Sequence, residues 1–189
     1  MNPIEIAGLI TGIIGVYLTA KAIIWCWPVA LINVLIYLYI FYEAHLYSDA
    51  GLQIFYIGMA IFGWYNWRKR KNPKKELKIS NSTSKELFFL FLLAIFIASL
   101  QGYVLHTFTN ASFPYIDSFC TAGSLVGTFL QTKKKIENWI IWIFIDLIYV
   151  YIFIQKNLYP TAFLYLIFVG LAVYGYLNWR KEKALLVLE

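Results

Sequence analysis

Long, uninterrupted runs of apolar residues separated by short polar or charged segments dominate the chain. Crossing the hydrocarbon layer of a bilayer takes about 20 residues of α-helix, because lipid offers exposed backbone groups no hydrogen-bond partners. A β-barrel would show alternating polarity in segments of about ten residues, and these runs do not alternate. The pattern predicts seven transmembrane helices: Ile4–Ala20, Ile24–Glu43, Ala50–Trp67, Glu86–His106, Asp117–Gln131, Ile136–Ile154 and Thr161–Trp179.

The composition agrees with a membrane protein. Apolar residues make up 61% of the chain and charged residues 14%, whereas a soluble domain has about 45–50% and about 25%. The net charge of +6 could suit nucleic acid, but the basic residues lie in short runs just beyond apolar segments. Orientation signals and anionic lipid headgroups account for such runs. We therefore expect the lipid bilayer, and no nucleic acid, as a partner.

The basic residues also orient the predicted helices. With seven spans, every Lys and Arg except Lys156 falls on one side of the membrane. The rule that positive loops stay in the cytoplasm then places the amino terminus outside and the carboxyl terminus inside. An even number of spans would scatter the basic runs over both sides, so the charges support the helix count independently.

The tetrapeptide Asn-Trp-Arg-Lys occurs twice, at 66–69 and 178–181, each time at the end of an apolar run. When residues 4–71 are compared with residues 116–183 without a gap, about a third of the positions are identical. Apolar composition alone would not keep tryptophans, glycines and charges in register over three helices. We infer that helices 1–3 and 5–7 are duplicates.

The single extra helix 4 gives both copies the same orientation. The predicted fold is therefore an all-α membrane protein of seven helices in a 3+1+3 parallel repeat, similar to that of the small SWEET sugar transporters. Its parts are a first repeat at 1–71, a basic cytoplasmic loop with linker helix 4 at 72–115, and a second repeat at 116–189. Two bundles with a site between them at mid-membrane would suit alternating access.

One face of helix 6 carries the chemistry that stands out. Trp139, Trp142, Asp146 and Tyr149 are spaced 3, 4 and 3 residues apart, so they share a face. A carboxylate in the hydrocarbon layer is costly and usually functional. We predict that these four residues bind a substrate. The alternatives are an interhelical hydrogen bond for Asp146 and an interfacial anchor for Trp139.

The first repeat differs at this place. Asn33 lies one position from the residue that matches Asp146, and it shares a face with Tyr37, four residues on. Gln53 opens helix 3 and corresponds to Tyr165 in helix 7. Such divergence is expected if the two copies bind one asymmetric ligand, and we predict that Asn33, Tyr37 and Gln53 also bind it. For Gln53, the alternative is that its amide caps or cross-links helices.

Two further groups predict packing. We interpret Trp64, Trp67 and Trp179 as interfacial belt residues. Glycines would let helix backbones approach closely: Gly8, Gly12, Gly58, Gly63, Gly170 and Gly175.

Motifs for nucleotide, zinc-peptidase or serine-hydrolase chemistry are absent from the sequence. We therefore expect no catalytic residue, metal or cofactor, and a single deep acid gives little support to a proton relay. Two hypotheses remain. The first is a transporter of a small, flat, polar and cationic molecule, which indole and phenol faces attract. The second is a membrane enzyme or sensor that uses Asp146, which a lone carboxylate supports less well.

The stretch "QTKKKIENWIIWIFIDLIYVYIF", with its W-x-x-W-x-x-x-D pattern, and the stretch "LQIFYIGMAIFGWYNW" resemble the nicotinamide riboside transporter family (PnuC). The duplicated layout is also similar. The resemblance implies uptake of this vitamin into bacteria across the cytoplasmic (inner) membrane, by facilitated diffusion and with trapping by phosphorylation. It also implies a homotrimer and a substrate site lined by Trp139, Trp142 and Asp146, with Asn33 and Gln53 as less secure additions.

The same family contains relatives that carry thiamine. Nicotinamide riboside and thiamine both present a cationic aromatic ring, so a tryptophan-rich site with a carboxylate suits either vitamin. The intact W-x-x-W-x-x-x-D favours nicotinamide riboside, and thiamine transport is the alternative.

Overall fold

Seven α-helices make up a computed structural model of the protein, which describes residues 3–43, 47–68, 76–109, 113–155 and 157–188. The side chains of residues 47–49 and 186–188 lie outside the description. The helices are α1 (Pro3–Ala20), α2 (Cys26–Glu43), α3 (Tyr47–Trp67), α4 (Ser84–Phe108), α5 (Pro114–Thr132), α6 (Glu137–Gln155) and α7 (Tyr159–Leu188). The predicted all-α fold with seven helices is confirmed.

The predicted helix ends agree with the structure to within three residues, with one exception. Helix α7 continues to Leu188 instead of ending at Trp179, because its charged turn after the apolar run is also helical. The residue types at the first positions explain where several of the helices begin. Prolines occupy the first positions of α1 and α5, where a missing N–H costs nothing. Thr83 caps α4 by accepting a hydrogen bond from the backbone of Glu86 at 3.2 Å.

Five of the described helices are long and apolar enough to cross a membrane, namely α1, α2, α4, α6 and α7. The other two predicted spans, α3 and α5, have the right length but contain more polar residues. In α5 the small hydroxyl side chains are satisfied within the helix: Ser124 donates to the carbonyl of Cys120 and Thr128 to that of Ser124, both at 2.8 Å. Such internal bonds lower the cost of placing hydroxyl groups in lipid.

The chain forms two compact units. Unit 1 contains the described residues up to Ile79, together with Thr132–Lys134 and the end of α7 from Tyr174. Within it, α2 packs against both α1 and α3. Unit 2 contains α4, α5 to Gln131, α6 and the start of α7 to Val173. Its core includes Leu90 of α4 with Val126 and Leu130 of α5.

The duplication is visible in the backbone. A shift of 112 residues carries the ends of α1 and α2 to within one residue of the ends of α5 and α6, and the start of α3 to the start of α7. The turns that follow α1 and α5 also match. Ala22 and Lys134, 112 residues apart, both have positive φ, at 53° and 51°. Each turn is closed by an equivalent backbone bond of 3.0 Å, from Ile23 to Leu18 and from Lys135 to Leu130.

The repeated tetrapeptide has a structural role that we did not predict. Trp67 and Trp179 are 5% and 0% exposed, so the prediction that they are belt residues is wrong; Trp64, at 45% exposed, is on the surface. The indole of Trp67 donates to the carbonyl of Thr132 at 3.2 Å, and that of Trp179 donates to the carbonyl of Thr19 at 3.1 Å.

Both acceptors lie at the carboxyl end of a helix, α5 for Thr132 and α1 for Thr19, where the last carbonyls have no partner inside the helix. Each copy of the tetrapeptide therefore caps the first helix of the other repeat. Asn178 strengthens one of these caps by donating to the carbonyl of Ala20 at 3.0 Å. All of these contacts lie within unit 1.

The prediction of close helix approach at glycine holds for part of the set. A Cβ on Gly63 would overlap the ring of Trp27, and a Cβ on Gly8 would lie 3.3 Å from the ring of Tyr37. A Cβ on Gly58 or Gly170 would meet no atom within 4 Å, so the prediction is wrong for these two. Gly63 makes room for Trp27, whose ring stands edge-on to Trp67 with centroids 5.3 Å apart.

Candidate functional site

The residues predicted on one face of α6, Trp139, Trp142, Asp146 and Tyr149, are here called the site face. Asp146 and Trp139 are buried, and Trp142 and Tyr149 are half-buried. The opposite side of α6 is apolar and exposed, at Ile140, Phe144, Leu147 and Tyr151. Helix α6 therefore turns its polar side chains towards protein and its apolar ones outwards, as lipid requires.

Asp146 lies at the middle of α6, nine residues from either end of Glu137–Gln155, or about 14 Å along the axis. Its side chain is only 6% exposed. Among the residues that the structure describes, none forms a hydrogen bond or an ion pair with its carboxylate. The alternative of an interhelical hydrogen bond therefore has no support in the described chain.

A buried carboxylate without a partner is unfavourable by several kcal/mol, since it loses its hydration and gains nothing in exchange. Such a group is stabilised when a ligand brings a positive charge or hydrogen-bond donors to it. No group of three or more His, Cys, Asp or Glu that could hold a metal ion occurs among the described residues. A buried carboxylate such as that of Asp146 suits a ligand that carries a positive charge or hydrogen-bond donors.

Helix α5 shapes the space next to Asp146 with small residues. A Cβ on Gly127 would lie 3.3 Å from the indole of Trp142, and one on Gly123 would lie 2.8 Å from Ile145. These two glycines thus let α5 approach α6 closely over the turn that precedes Asp146.

Beyond Asp146, towards the carboxyl end of α6, the site face continues into three aromatic rings, here called the aromatic cluster: Tyr149, Phe153 and Tyr165. The Tyr165 ring of α7 lies 5.0 Å from that of Tyr149 and 5.1 Å from that of Phe153, between centroids. Tyr149 and Phe153 are stacked at 5.9 Å. In the sequence, Tyr165 stands out only as the counterpart of Gln53. Its contacts with α6 are long-range and leave no local signal in the sequence.

The predicted residues of the first repeat lie in unit 1. Asn33 donates to the carbonyl of Gly8 at 2.6 Å and to the hydroxyl of Thr11 at 3.0 Å. The ring of Tyr37 also lies against Gly8, so the structure brings Asn33 and Tyr37 together on α1. Gln53 is half-buried and has no hydrogen-bond partner among the described residues. The amide nitrogen of Asn33 therefore links two helices, whereas Gln53 keeps its polar groups available.

Seven helices, five of them long and apolar enough to cross a membrane, and a buried carboxylate on an aromatic helix face are the features of a membrane transporter. The sequence model of the nicotinamide mononucleotide transporter family matches residues 2–181. The chain belongs to this family and is a multi-pass membrane transporter.

Three relatives illustrate the match. The nicotinamide riboside transporter PnuC of Escherichia coli (strain K12) is 29% identical over 201 residues, which cover 93% of this chain and 84% of that protein. The riboflavin/roseoflavin transporter RibM of Streptomyces davaonensis is 25% identical over 178 residues, with coverages of 93% and 83%. The crystal structure of the vitamin B3 transporter PnuC has a TM-score of 0.75 at 24% identity, with coverages of 95% and 83%, and so shares the fold.

Proposed function

We propose that the protein carries nicotinamide riboside into the bacterial cytoplasm by facilitated diffusion with alternating access. The observation that carries this proposal is the buried carboxylate of Asp146 on an aromatic face of α6, which has no hydrogen-bond or ion-pair partner among the described residues. Relatives from Escherichia coli and Neisseria mucosa are nicotinamide riboside transporters, which adds support for this substrate.

The chemistry of the substrate fits the site face. Nicotinamide riboside has a pyridinium ring, a carboxamide and ribose hydroxyl groups. Indole and phenol rings attract such a cationic ring by about 0.5–2 kcal/mol each. The carboxylate of Asp146 would compensate the ring charge or accept hydrogen bonds from the carboxamide or the ribose, and this would remove the cost of burying it unpaired. Trp142 and Tyr149, one turn to either side of Asp146, would flank the ring.

The direction of net transport would come from the cell and not from an ion gradient. One deep acid gives no chain of titrating groups for proton coupling. Phosphorylation of the vitamin in the cytoplasm would add charge and prevent its return. We also propose the orientation that the basic residues indicate, with the amino terminus outside and the carboxyl terminus in the cytoplasm.

Thiamine is the second candidate, because its thiazolium ring is also cationic and would also suit Asp146. Riboflavin, which the RibM relative carries, has a neutral ring and would gain less from a carboxylate. The site face therefore favours nicotinamide riboside and thiamine, whose rings are positively charged, over riboflavin, whose ring is neutral.

Ligand binding to the purified protein tests the proposal. We expect calorimetry to show binding of nicotinamide riboside, weaker binding of thiamine and no binding of riboflavin. Asp146→Asn keeps the size of the side chain but removes its charge and should weaken binding about tenfold or more. Asp117→Asn is the matched control, because Asp117 is an exposed carboxyl in the first turn of α5. Binding of riboflavin alone, or an unchanged Kd for Asp146→Asn, would contradict the proposal.

Proteoliposomes separate a transporter from a membrane enzyme. Nicotinamide riboside recovered from the lumen should have an unaltered mass, and its concentration should approach that outside. An ATP-dependent riboside kinase enclosed in the vesicles should convert this equilibration into accumulation. Chemically altered substrate in vesicles without kinase would favour the enzyme hypothesis.

A further inference from the structure

The aromatic cluster extends the site face towards one end of the helix. Tyr149 and Phe153 lie three and seven residues beyond Asp146, or about 5 Å and about 10 Å along the axis. All three rings of the cluster are only half-buried, so they remain accessible in part. In the proposed orientation this end of α6 faces outwards, where the substrate arrives.

Tyr165 is the member that joins the cluster to α7. Its ring is tilted by 49° to that of Tyr149 and by 42° to that of Phe153. A fourth ring, Phe168, meets Tyr165 edge-on with centroids 5.7 Å apart. Tyr165 is thus held between α6 and the next turn of its own helix, and its ring in turn restricts the positions open to Tyr149.

The first repeat shows that this arrangement is not a requirement of the fold. The counterparts of Tyr149 and Phe153 are Tyr37 and Phe41, with identical side chains and centroids 5.8 Å apart. The counterpart of Tyr165, however, is Gln53. The three-helix unit therefore folds with glutamine at this position, and the third ring is a property of the second repeat alone.

The two tyrosines also pack in different directions. In the first repeat the ring of Tyr37 lies against Gly8 of α1. In the second repeat Cys120 replaces that glycine, and Tyr149 packs against Tyr165 of α7. The ring of Tyr149 is thereby fixed next to the helix turn that carries Asp146.

We propose that Tyr165 is a positioning residue that holds Tyr149 as one wall of the Asp146 site and so sets its preference for a cationic ring over a neutral one. This inference rests on the proposed function. The π face of a phenol attracts a cation only when the ring lies across the path of the charge, within about 6 Å of its centroid. With glutamine in place of Tyr165, Tyr149 would lose its ring contact on α7 and could rotate out of this position.

The test compares two ligands that differ in ring charge. Nicotinamide riboside is cationic, and its 1,4-dihydro form is neutral with the same ribose and carboxamide. The ratio of their Kd values for the full-length protein measures the preference for the charge. Tyr165→Phe keeps the ring and should leave the ratio within about twofold. Tyr165→Gln, which copies Gln53, should reduce the ratio about tenfold, mainly by weakening the binding of the cation.

A matched control and a substitute variant keep the test decisive. Tyr151→Gln makes the same change on the exposed side of α6 and should leave the ratio unchanged. If Tyr165→Gln is not monodisperse in detergent, Tyr165→Leu replaces it, because leucine fills space but has no π face. The ratio of the two Kd values is then measured for this variant.

The possible results separate the two proposals. If Tyr165→Gln weakens both ligands equally, or changes neither, Tyr165 has only a packing role and the inference is overturned. If the wild-type protein binds neither form of the riboside, it is the proposed function that fails.

Discussion

The two sequence repeats have matching helix ends and turns but differ in the face that meets the substrate in our proposal. On α6, Trp142 and Asp146 stand where α2 has Ala30 and Val34. Asp146 and Val34 are both buried, so the duplicated fold accepts either a carboxylate or an isopropyl group there. Duplication has preserved the turns and caps, and it has left this face free to diverge.

A polar contact of the first repeat has an apolar equivalent in the second. Asn33 of α2 donates to Thr11 of α1 at 3.0 Å, whereas their counterparts Ile145 and Gly123 pack without a hydrogen bond. The polar residue of α6 stands one position later, at Asp146. Successive residues of an α-helix are rotated by about 100° about its axis. The side chain of Asp146 therefore leaves α6 in a direction about 100° from the one in which the counterpart of Asn33 leaves it.

The largest effect on substrate binding is expected when Asp146, at the middle of α6, is replaced by the residue of the first repeat. Asp146→Val copies Val34 and should weaken binding of nicotinamide riboside about 100-fold, the equivalent of about 2.7 kcal/mol. The same change removes a buried unpaired charge, so the Tm of the protein in detergent should stay equal or rise. A lower Tm would instead assign Asp146 a role in stability.

Gly63 tests the packing of the first repeat. Gly63→Ala would place a methyl group into the ring of Trp27 and should lower the free energy of unfolding by about 2 kcal/mol. Gly58→Ala is the control, because its Cβ would meet open space; it should be neutral or stabilise by about 0.5 kcal/mol. Reversible unfolding in mixed detergent measures both, and equal effects would contradict the described contact.

The Asn33–Thr11 contact can be exchanged for its apolar equivalent. Asn33→Ala should cost about 1.5 kcal/mol, because it removes two hydrogen bonds between α2 and α1. The double variant Asn33→Ile with Thr11→Gly copies Ile145 and Gly123 and should be more stable than Asn33→Ile alone. The double-mutant cycle measures this coupling; strictly additive effects would show that the two pairs are not equivalent.

The smallest effects are expected at the caps. Trp67→Phe and Trp179→Phe each remove one hydrogen bond to a helix end and should each cost about 1 kcal/mol. Lys134→Ala distinguishes them, since the ammonium of Lys134 lies 4.8 Å from the centroid of Trp67, and its counterpart is the uncharged Ala22. The effect of Lys134→Ala should be smaller in the Trp67→Phe background, because a phenyl ring attracts the ammonium less than an indole does, and unchanged in Trp179→Phe; thermal unfolding measures both.

Lys134 also predicts a pH dependence. Burial lowers the pKa of its ammonium from the usual 10.5, so the unfolded chain binds this proton more tightly than the folded one. The contribution of Lys134 to stability should therefore rise with pH between the lowered pKa and 10.5. Lys134→Ala should lack this rise.

The helices could be predicted because continuous apolar runs and the basic residues between them are local signals. The roles of Trp67 and Trp179 could not, since a tryptophan at the basic end of an apolar run also suits an interfacial anchor. Their carbonyl partners lie 65 and 160 residues away in sequence. Tyr165, for which we propose a positioning role, did not stand out in the sequence for a similar reason, because its ring contacts with Tyr149 and Phe153 come from α6.

The sequence could show which side chains have the chemistry of a binding site, but it could not show which of them are hydrogen-bonded to other parts of the protein. The mid-helix carboxylate of Asp146 stood out because charges are rare in hydrocarbon. That no described residue is a hydrogen-bond partner of Asp146, whereas Asn33 has two such partners, depends on how the helices pack. The same limit applied to the glycines: Gly63 and Gly58 look alike in sequence, but only the first has a ring against it.

The exchanged tryptophan caps have a consequence for the origin of the chain. Half of the protein alone would have a donor at the end of its last helix and exposed carbonyls at the end of its first, with no way to join them. A second half supplies both missing partners at once. A half-length chain that paired with itself through these contacts would already have both caps, and joining its two copies through a helix such as α4 would keep them.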